Sequence, residues 1–182
     1  MKTGIEKFEN IVDEDLCDLL IKNFEDNIDQ SVEQKYSVGY NVICRQLMLP
    51  RCELDDRVFK IITNVIRKYQ QEYKYFHATG DTNYQLRKIT GKTREHIDNI
   101  YSTVSGNTTF DNPRNVSIIL GLNSDYEEGA FHFPVQDFST TVKRGEAIVF
   151  PVYYMYPHFV DAPIGHRYTI NTWITDNFDG LE

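Results

Sequence analysis

The sequence predicts a mainly-β α+β domain in which two helices pack on one sheet of an antiparallel sandwich. Two amphipathic stretches lie in the first 80 residues, and short β-rich runs separated by turn residues fill the remainder. The 182 residues are 41% hydrophobic and 13% aromatic, which suits one packed domain rich in strands. We therefore expect a single domain over residues 1–182, with a helical part at 1–80 and a strand core at 81–176.

The first helix is predicted over residues 13–27, where apolar side chains recur at helical spacing after an acidic start. Its apolar positions are Leu16, Leu19, Leu20 and Phe24. A longer apolar stripe predicts a second helix over residues 53–75. Residues 35–52 are predicted to form a loop or short strands. Each helix has a single apolar face, so both should pack on the outside of one sheet.

Seven short runs of strand-forming residues follow Gly80. They cover residues 84–89, 115–123, 129–135, 138–143, 146–152, 158–163 and 167–175. Turn-like residues separate several of them, including Gly106, the Asn-Pro pair at 112–113 and Gly145. Many short strands at close and even spacing favour a sandwich or a barrel.

Charge and cysteine content exclude several classes of function. The net charge is −8 and no Lys/Arg cluster occurs, so nucleic acid is not expected as a partner. No apolar run approaches the ~20 residues that span a bilayer, and the N-terminal residues show no secretory signal, so no membrane partner is expected. Cys17, Cys44 and Cys52 match no zinc or redox spacing, which favours reduced thiols in the cytoplasm, with Cys17 in the core.

The stretch TREHIDN, residues 93–99, places His96 and Asp98 on the same side of an extended strand. Such a pair could be metal ligands, an acid/base pair or an ordinary surface hydrogen bond. The distal sequence favours the first interpretation, because His158 begins a late strand and Arg167 opens the last one nine residues further on. Two imidazoles and one carboxylate can occupy one face of an octahedral metal and leave the opposite face open, an arrangement typical of non-haem Fe(II) oxygenases.

From about residue 84 to residue 175 the sequence resembles the Fe(II)- and 2-oxoglutarate-dependent dioxygenases, most closely their prolyl 4-hydroxylase-like branch. The segments that carry the resemblance are HID at 96–98, IILGLN at 118–123, EEGAFHFP at 127–134, VKRGEAIVFP at 142–151 and YPHFVDAPIGHRYTINTWI at 156–174. The resemblance implies a double-stranded β-helix, a jelly-roll or cupin-like sandwich. It also implies that His96, Asp98 and His158 bind Fe(II), and that Arg167 binds the distal carboxylate of the cosubstrate 2-oxoglutarate during a reaction with O2.

Strand alternation extends this candidate site along the last strand. Arg167, Thr169, Asn171 and Trp173 share one face. If that face points inward, the Arg167 fork can pair with a carboxylate in bidentate fashion, Thr169 can add a hydroxyl to the same carboxylate, and Trp173 can form a wall of the site.

Two positions depart from the family pattern. Ile89 and Gly121 stand where many members of the family carry tyrosines that contact the cosubstrate. By alternation from Ile89, Gln85 and Arg87 should face inward, where they compensate for the missing tyrosine contacts. We therefore expect Gln85 and Arg87, together with Trp173, to be substrate contacts.

The resemblance implies a hydroxylase that acts as a monomer or a homodimer, and its substrate is either a peptidyl side chain or a free small molecule. The segments at 35–52 and 101–114 should decide between the two substrate classes. The nucleic-acid demethylases of the superfamily carry a second arginine six residues past the first, where this chain has Trp173, which argues against base repair. The alternative is a non-enzymatic, metal-containing β-sandwich binding module, which would have no need of an inward Arg167.

Overall fold

The computed structural model describes residues 3–35, 42–99, 102–104, 107–109 and 114–175. It contains helices α1 (Glu14–Asp26) and α2 (Glu53–Glu72). Its strands are β1 Glu6–Phe8, β2 Val32–Lys35, β3 Val42–Met48, β4 Gly80–Asp81, β5 Gln85–Ile89, β6 Ser102–Val104, β7 Asn107–Thr109, β8 Arg114–Gly121, β9 Glu127–Glu128, β10 Phe131–Phe133, β11 Phe138–Thr140, β12 Ala147–Pro151, β13 Phe159–Val160, β14 Pro163–Ile164 and β15 Arg167–Thr175. The turns predicted at Gly106 and at 112–113 lie outside the described residues, as do parts of the segments 35–52 and 101–114.

Both predicted helices are present, and each is slightly shorter than expected. Helix α1 begins directly after Asp13 and buries a stripe made by Leu16, Cys17, Leu20 and Phe24. The expectation that Leu19 also belongs to the buried face is wrong, since its side chain is 43% exposed. The buried stripe is centred between residues 16 and 17, and the helical rotation carries Leu19 to one side of it. Neither described helix is apolar enough along its length to cross a bilayer.

The large sheet has the strand order β1-β12-β8-β15-β5-β3-β2, with β4 paired to the far end of β15, and all of these pairs are antiparallel. The segment up to residue 81, which we expected to be mainly helical, supplies four strands as well as both helices. Strand β3 lies within residues 35–52, where a loop or short strands were expected. Strands β1, β2 and β4 are short and polar in sequence, so an apolar alternation does not reveal them. They form because the open backbone edges of longer strands offer them hydrogen bonds.

A second, smaller antiparallel sheet, β11-β10-β13, faces the large sheet, and β9 pairs separately with β14. From β8 onward the chain passes repeatedly between the large sheet and these shorter strands. This is the antiparallel sandwich of the predicted double-stranded β-helix.

The large sheet has a different core on each face. Its outer face packs against the two helices, through residues such as Leu20, Ile62 and Ile118. Its inner face meets the small sheet, where Ile148 and Phe133 belong to a second apolar cluster. The helices therefore lie on the outside of one sheet, as predicted, and the space between the two sheets is left for a cavity.

Candidate metal centre and cavity

Backbone hydrogen bonds bring His96 and His158 together. Residues 90–99 leave β5 as an extended loop, and an isolated antiparallel bridge joins this loop to the residue before β13. The His96 N–H donates to the His158 carbonyl at 3.0 Å, and the His158 N–H donates to the His96 carbonyl at 2.9 Å. The two ring centroids are consequently 4.5 Å apart. The main chain itself therefore sets the spacing of these two imidazoles.

Each imidazole turns the same nitrogen toward the protein. Nδ1 of His96 lies 2.8 Å from the Arg94 carbonyl oxygen, and Nδ1 of His158 lies 3.2 Å from the Tyr156 carbonyl oxygen. A carbonyl oxygen can only accept, so in both rings Nδ1 carries the proton. Nε2 then keeps its lone pair, which is the form of histidine that binds a metal.

Asp98 completes the group. Its carboxylate oxygens lie 3.4 Å from His96 Nε2 and 3.9 Å from His158 Nε2, and it accepts a hydrogen bond from Ser117 Oγ on β8. Burial opposes its ionisation, yet its neighbours His96 and His158 and the hydrogen bond from the Ser117 hydroxyl together hold the pKa of Asp98 well below its ordinary range. Asp98 is therefore an anion in the folded protein.

One potential donor atom from each of His96, Asp98 and His158 lies within 4.8 Å of the other two, and within the described part of the chain no other group of this kind occurs. Two neutral imidazoles and one ionised carboxylate are the donor set that a divalent iron takes in facial-triad sites. The residues present thus fit an Fe(II) ion.

The metal group lies in a cavity of about 360 Å³ between the two sheets. The predicted inward face of β15 lines it through Arg167, Thr169, Asn171 and Trp173. Strand register places Trp173 opposite Ser117, the residue that bonds Asp98, and places Arg167 opposite Ile89. The cavity therefore has a metal end near Trp173 and a far end at Arg167.

Arg167 forms the closed end of the cavity. Its side chain is 2% exposed, NH1 donates to the Gly129 carbonyl at 2.6 Å, and its Cζ lies 4.9 Å from the centre of the Phe131 ring. Burial lowers its pKa to about 10, so it remains a cation at neutral pH. Among the described residues Nε has no hydrogen-bond partner, although it is buried. A buried donor without a partner is costly, which makes this guanidinium suitable for an anionic ligand.

The surroundings of Arg167 explain one departure from the family pattern, the glycine at position 121. A Cβ at Gly121 would lie 2.2 Å from the Lys143 carbonyl oxygen, so no side chain fits there. Tyr126, which the sequence reading missed, stands beside Arg167 instead, and its hydroxyl donates to the Val142 carbonyl at 2.7 Å. A tyrosine thus lies beside Arg167 from the loop after β8, where strand alternation gives no signal.

The other candidates do not all line the cavity. Arg87 and Trp173 line the cavity, whereas Gln85 is not among its described lining residues and accepts a 2.6 Å hydrogen bond from Arg87. Thr169 lines it too, but Oγ1 is 2.7 Å from Asn171 Oδ1.

Some residues in the cavity wall or in contact with Asp98 were not singled out from the sequence. Cys44 on β3 is buried in the cavity wall, and Ser117 bonds Asp98. Arg114 donates to the Asp98 carbonyl at 3.2 Å and stacks at 3.8 Å on the Trp173 ring. Ser117 and Ile119 lie on the inward parity of β8, so this strand's alternation was the one available signal.

Comparison with known proteins places this geometry in a family. Residues 82–175 match the model of the 2OG-Fe(II) oxygenase superfamily. No curated protein matches the chain. Among solved structures, a collagen prolyl hydroxylase of Paramecium bursaria Chlorella virus-1, in its 2-oxoglutarate complex, is similar with a TM-score of 0.73 and 16% identity, over 96% of this chain and 97% of that one.

Two further structures share the fold. A prolyl hydroxylase of Trichoplax adhaerens, in complex with a peptide fragment of the hypoxia-inducible-factor oxygen degradation domain, has a TM-score of 0.74 at 16% identity, over 96% of this chain and 84% of that one. A prolyl 4-hydroxylase of Pseudomonas putida has a TM-score of 0.74 at 14% identity, over 96% of this chain and 93% of that one. At such identities the structures establish a common fold.

Proposed function

This chain belongs to the 2OG-Fe(II) oxygenase superfamily, and from that membership we propose that it is a hydroxylase of the prolyl 4-hydroxylase type. It is a 2-oxoglutarate-dependent dioxygenase, with Fe(II) as cofactor and with 2-oxoglutarate and O2 as cosubstrates. The non-enzymatic binding module is therefore set aside. A peptidyl substrate is favoured because the similar structures are prolyl hydroxylases and one of them holds a peptide fragment.

One observation supports the assignment of residues to the metal and to the cosubstrate. A facial donor group at one end of the cavity and a buried arginine with an unsatisfied Nε at the other end face the same space. We assign His96, Asp98 and His158 to Fe(II), and Arg167 to the distal carboxylate of 2-oxoglutarate. Thr169 precedes Asn171 on the wall between these two ends, where its hydroxyl can turn from Asn171 to the same carboxylate.

The bound iron and 2-oxoglutarate supply the oxidation, in which decarboxylation to succinate is coupled to insertion of one oxygen atom into a substrate C–H bond. The chain's own contribution is placement and charge. Asp98 offsets one of the two positive charges of the ion, and Ser117 and the backbone partners of the imidazoles keep the three donors aimed at the cavity. Arg167 fixes the cosubstrate in one orientation through a planar fork that matches a carboxylate.

The test is the formation of succinate from 2-oxoglutarate by the purified protein with Fe(II) under air, followed by mass spectrometry of proline-containing peptides for the gain of one oxygen atom. Asp98→Ala should form no succinate above a chelator-treated control. Asp26→Ala, which removes a carboxylate from the exposed end of α1, should behave as wild type. Absence of iron-dependent succinate from the wild-type protein, with and without peptides, would refute the proposed function.

A further inference from the structure

A second arginine, Arg87, lies in the same cavity, and the assignments above leave it without a function. It belongs to β5, where it is the register partner of Thr169. Its NH2 donates to Gln85 Oε1 at 2.6 Å, while Nε is buried and has no hydrogen-bond partner among the described residues. Burial lowers the pKa of Arg87, but a guanidinium remains charged at neutral pH. The cavity wall thus holds a cation that is only partly satisfied.

The guanidinium of Arg87 is directed toward the metal end of the cavity. It bonds Gln85, whose register partner is Asn171, and its Cζ lies 5.6 Å from the centre of the Trp173 ring. Arg167 occupies the opposite end, since its register partner is Ile89. Arg87 is therefore placed beside the space that a substrate must enter to reach the iron, and away from the distal carboxylate of 2-oxoglutarate.

The charges of the cavity also indicate that Arg87 has room for an anionic partner. Asp98 is the sole acidic residue among the described lining residues, against Arg87, Arg167 and an exposed arginine, Arg94. Once Fe(II) and the dianion of 2-oxoglutarate are bound, Asp98 and Arg167 bring that group of charges to zero, and Arg87 remains as an excess positive charge. Arg87 is partly buried and its buried Nε has no partner among the described residues, so an uncompensated charge there is costly, and the nearby Arg114 adds to the excess rather than relieving it.

We propose that Arg87 is a specificity-determining residue that binds a carboxylate carried by the substrate. The inference rests on the proposed function and narrows its substrate class to acids. The carboxylate is either the side chain of an acidic residue next to the hydroxylated position of a peptide or the acid group of a free small molecule. The fork of Arg87 supplies Nε, which lacks a partner, and Trp173 provides a flat apolar surface beside it.

Trp173 is the one tryptophan of the sequence, so its fluorescence reports binding in this cavity without turnover. We would load the protein with Mn(II) and 2-oxoglutarate under argon and titrate two matched pairs of probes. The affinities of N-acetylproline and N-acetylprolinamide are compared to test whether the site binds a free small-molecule acid. The blocked dipeptides acetyl-Pro-Asp-amide against acetyl-Pro-Asn-amide test an acidic neighbour in a peptide. Within each pair, one probe carries a carboxylate where the other carries an amide.

Wild type should bind the acid of at least one pair about tenfold or more tightly than its amide, as a charge-assisted hydrogen bond requires. Arg87→Gln should abolish that preference, and Arg87→Lys should retain part of it because lysine is a cation without the fork. The matched control is Lys88→Gln, which removes a positive charge from the adjacent residue, where it pairs with Glu25 on the outer face. The control should keep the full preference.

Equal binding of acid and amide in both pairs, or no binding of any probe, would overturn the proposal. So would a preference that survives in Arg87→Gln, or a weakening of 2-oxoglutarate binding by about tenfold in that variant, which would assign Arg87 to the cosubstrate. Circular dichroism and the Arg87→Lys variant separate these results from misfolding. Succinate formation by wild type with equal probe binding refutes this inference and leaves the proposed function standing, whereas absence of iron-dependent succinate refutes the proposed function itself, whatever the probes show.

Discussion

Arg167→Ala removes a guanidinium that is 2% exposed and that has a buried Nε without a partner among the described residues. If this group binds the distal carboxylate of 2-oxoglutarate, the variant loses a bidentate ion pair in a closed cavity. One charge-assisted hydrogen bond contributes roughly 1.5–3 kcal/mol net. Since ~1.4 kcal/mol corresponds to a factor of ten, the dissociation constant for 2-oxoglutarate should rise by at least about tenfold and by up to roughly a hundredfold.

Lysine at position 167 should restore only part of the affinity, because an ammonium is a point charge and cannot bond both carboxylate oxygens through a fork. Metal affinity in the absence of 2-oxoglutarate should be unchanged, since Arg167 lies at the far end of the cavity from His96 and Asp98. The two effects separate cosubstrate binding from damage to the metal site.

The assay is calorimetric titration of Mn(II), and then of 2-oxoglutarate into the Mn(II)-loaded protein, for wild type and each variant. Arg45→Ala is the matched control, because Arg45 is on the outer side of β3 and pairs with Glu33 at the surface. Unchanged 2-oxoglutarate affinity in Arg167→Ala would refute the assignment. Weaker metal binding in that variant would show that the substitution had disturbed the cavity as a whole.

Asp98→Ala should lose both metal binding, measured by the same calorimetry, and succinate formation, while its circular dichroism remains that of wild type; full metal content in this variant would contradict the ligand assignment. Leu20→Ala should lower the free energy of unfolding in urea by about 2–5 kcal/mol because Leu20 is fully buried, whereas Leu19→Ala should change it by less than about 0.5 kcal/mol. The hydrogen bond with His132 lowers the pKa of Asp161 below its usual 3.8, so this pair adds stability above that pH and loses it as the pH falls further. Asp161→Asn should therefore cost less than about 1 kcal/mol near pH 6 and a smaller amount near pH 2, as urea unfolding at the two pH values would show; an equal cost at both would contradict this.

The strand-rich half of the fold was predictable because its strands carry apolar residues in a pattern that matches their burial. The runs at 84–89, 115–123 and 167–175 became β5, β8 and β15, which are adjacent in the large sheet. Strands β1 and β2 could not be found this way, since their sequences, EKF and VEQK, are polar and their pairing depends on the edges of other strands. Register between distant segments is a tertiary property that local pattern does not encode.

The site shows the same division. Parity along β15 placed Arg167 and Trp173 on one inward face, because a strand's side chains alternate strictly. The positions of Tyr126 and Ser117 relative to that face depend on a loop path and on strand register, and neither follows from spacing along the chain. Parity along β5 likewise placed Arg87 on the inward face, but it gave no indication that the Arg87 guanidinium bonds Gln85 of the same strand.

Metal preference at this site can change one side chain at a time during evolution. The hydrogen bonds that hold residues 96 and 158 together are formed by main-chain N–H and C=O groups, which every residue except proline possesses. A substitution at either position therefore alters the donor atom offered to the cavity and leaves the pairing of the two chain segments intact. Because donor type governs which metals a site favours, the metal preference of this site can change while the backbone that positions the two residues stays the same.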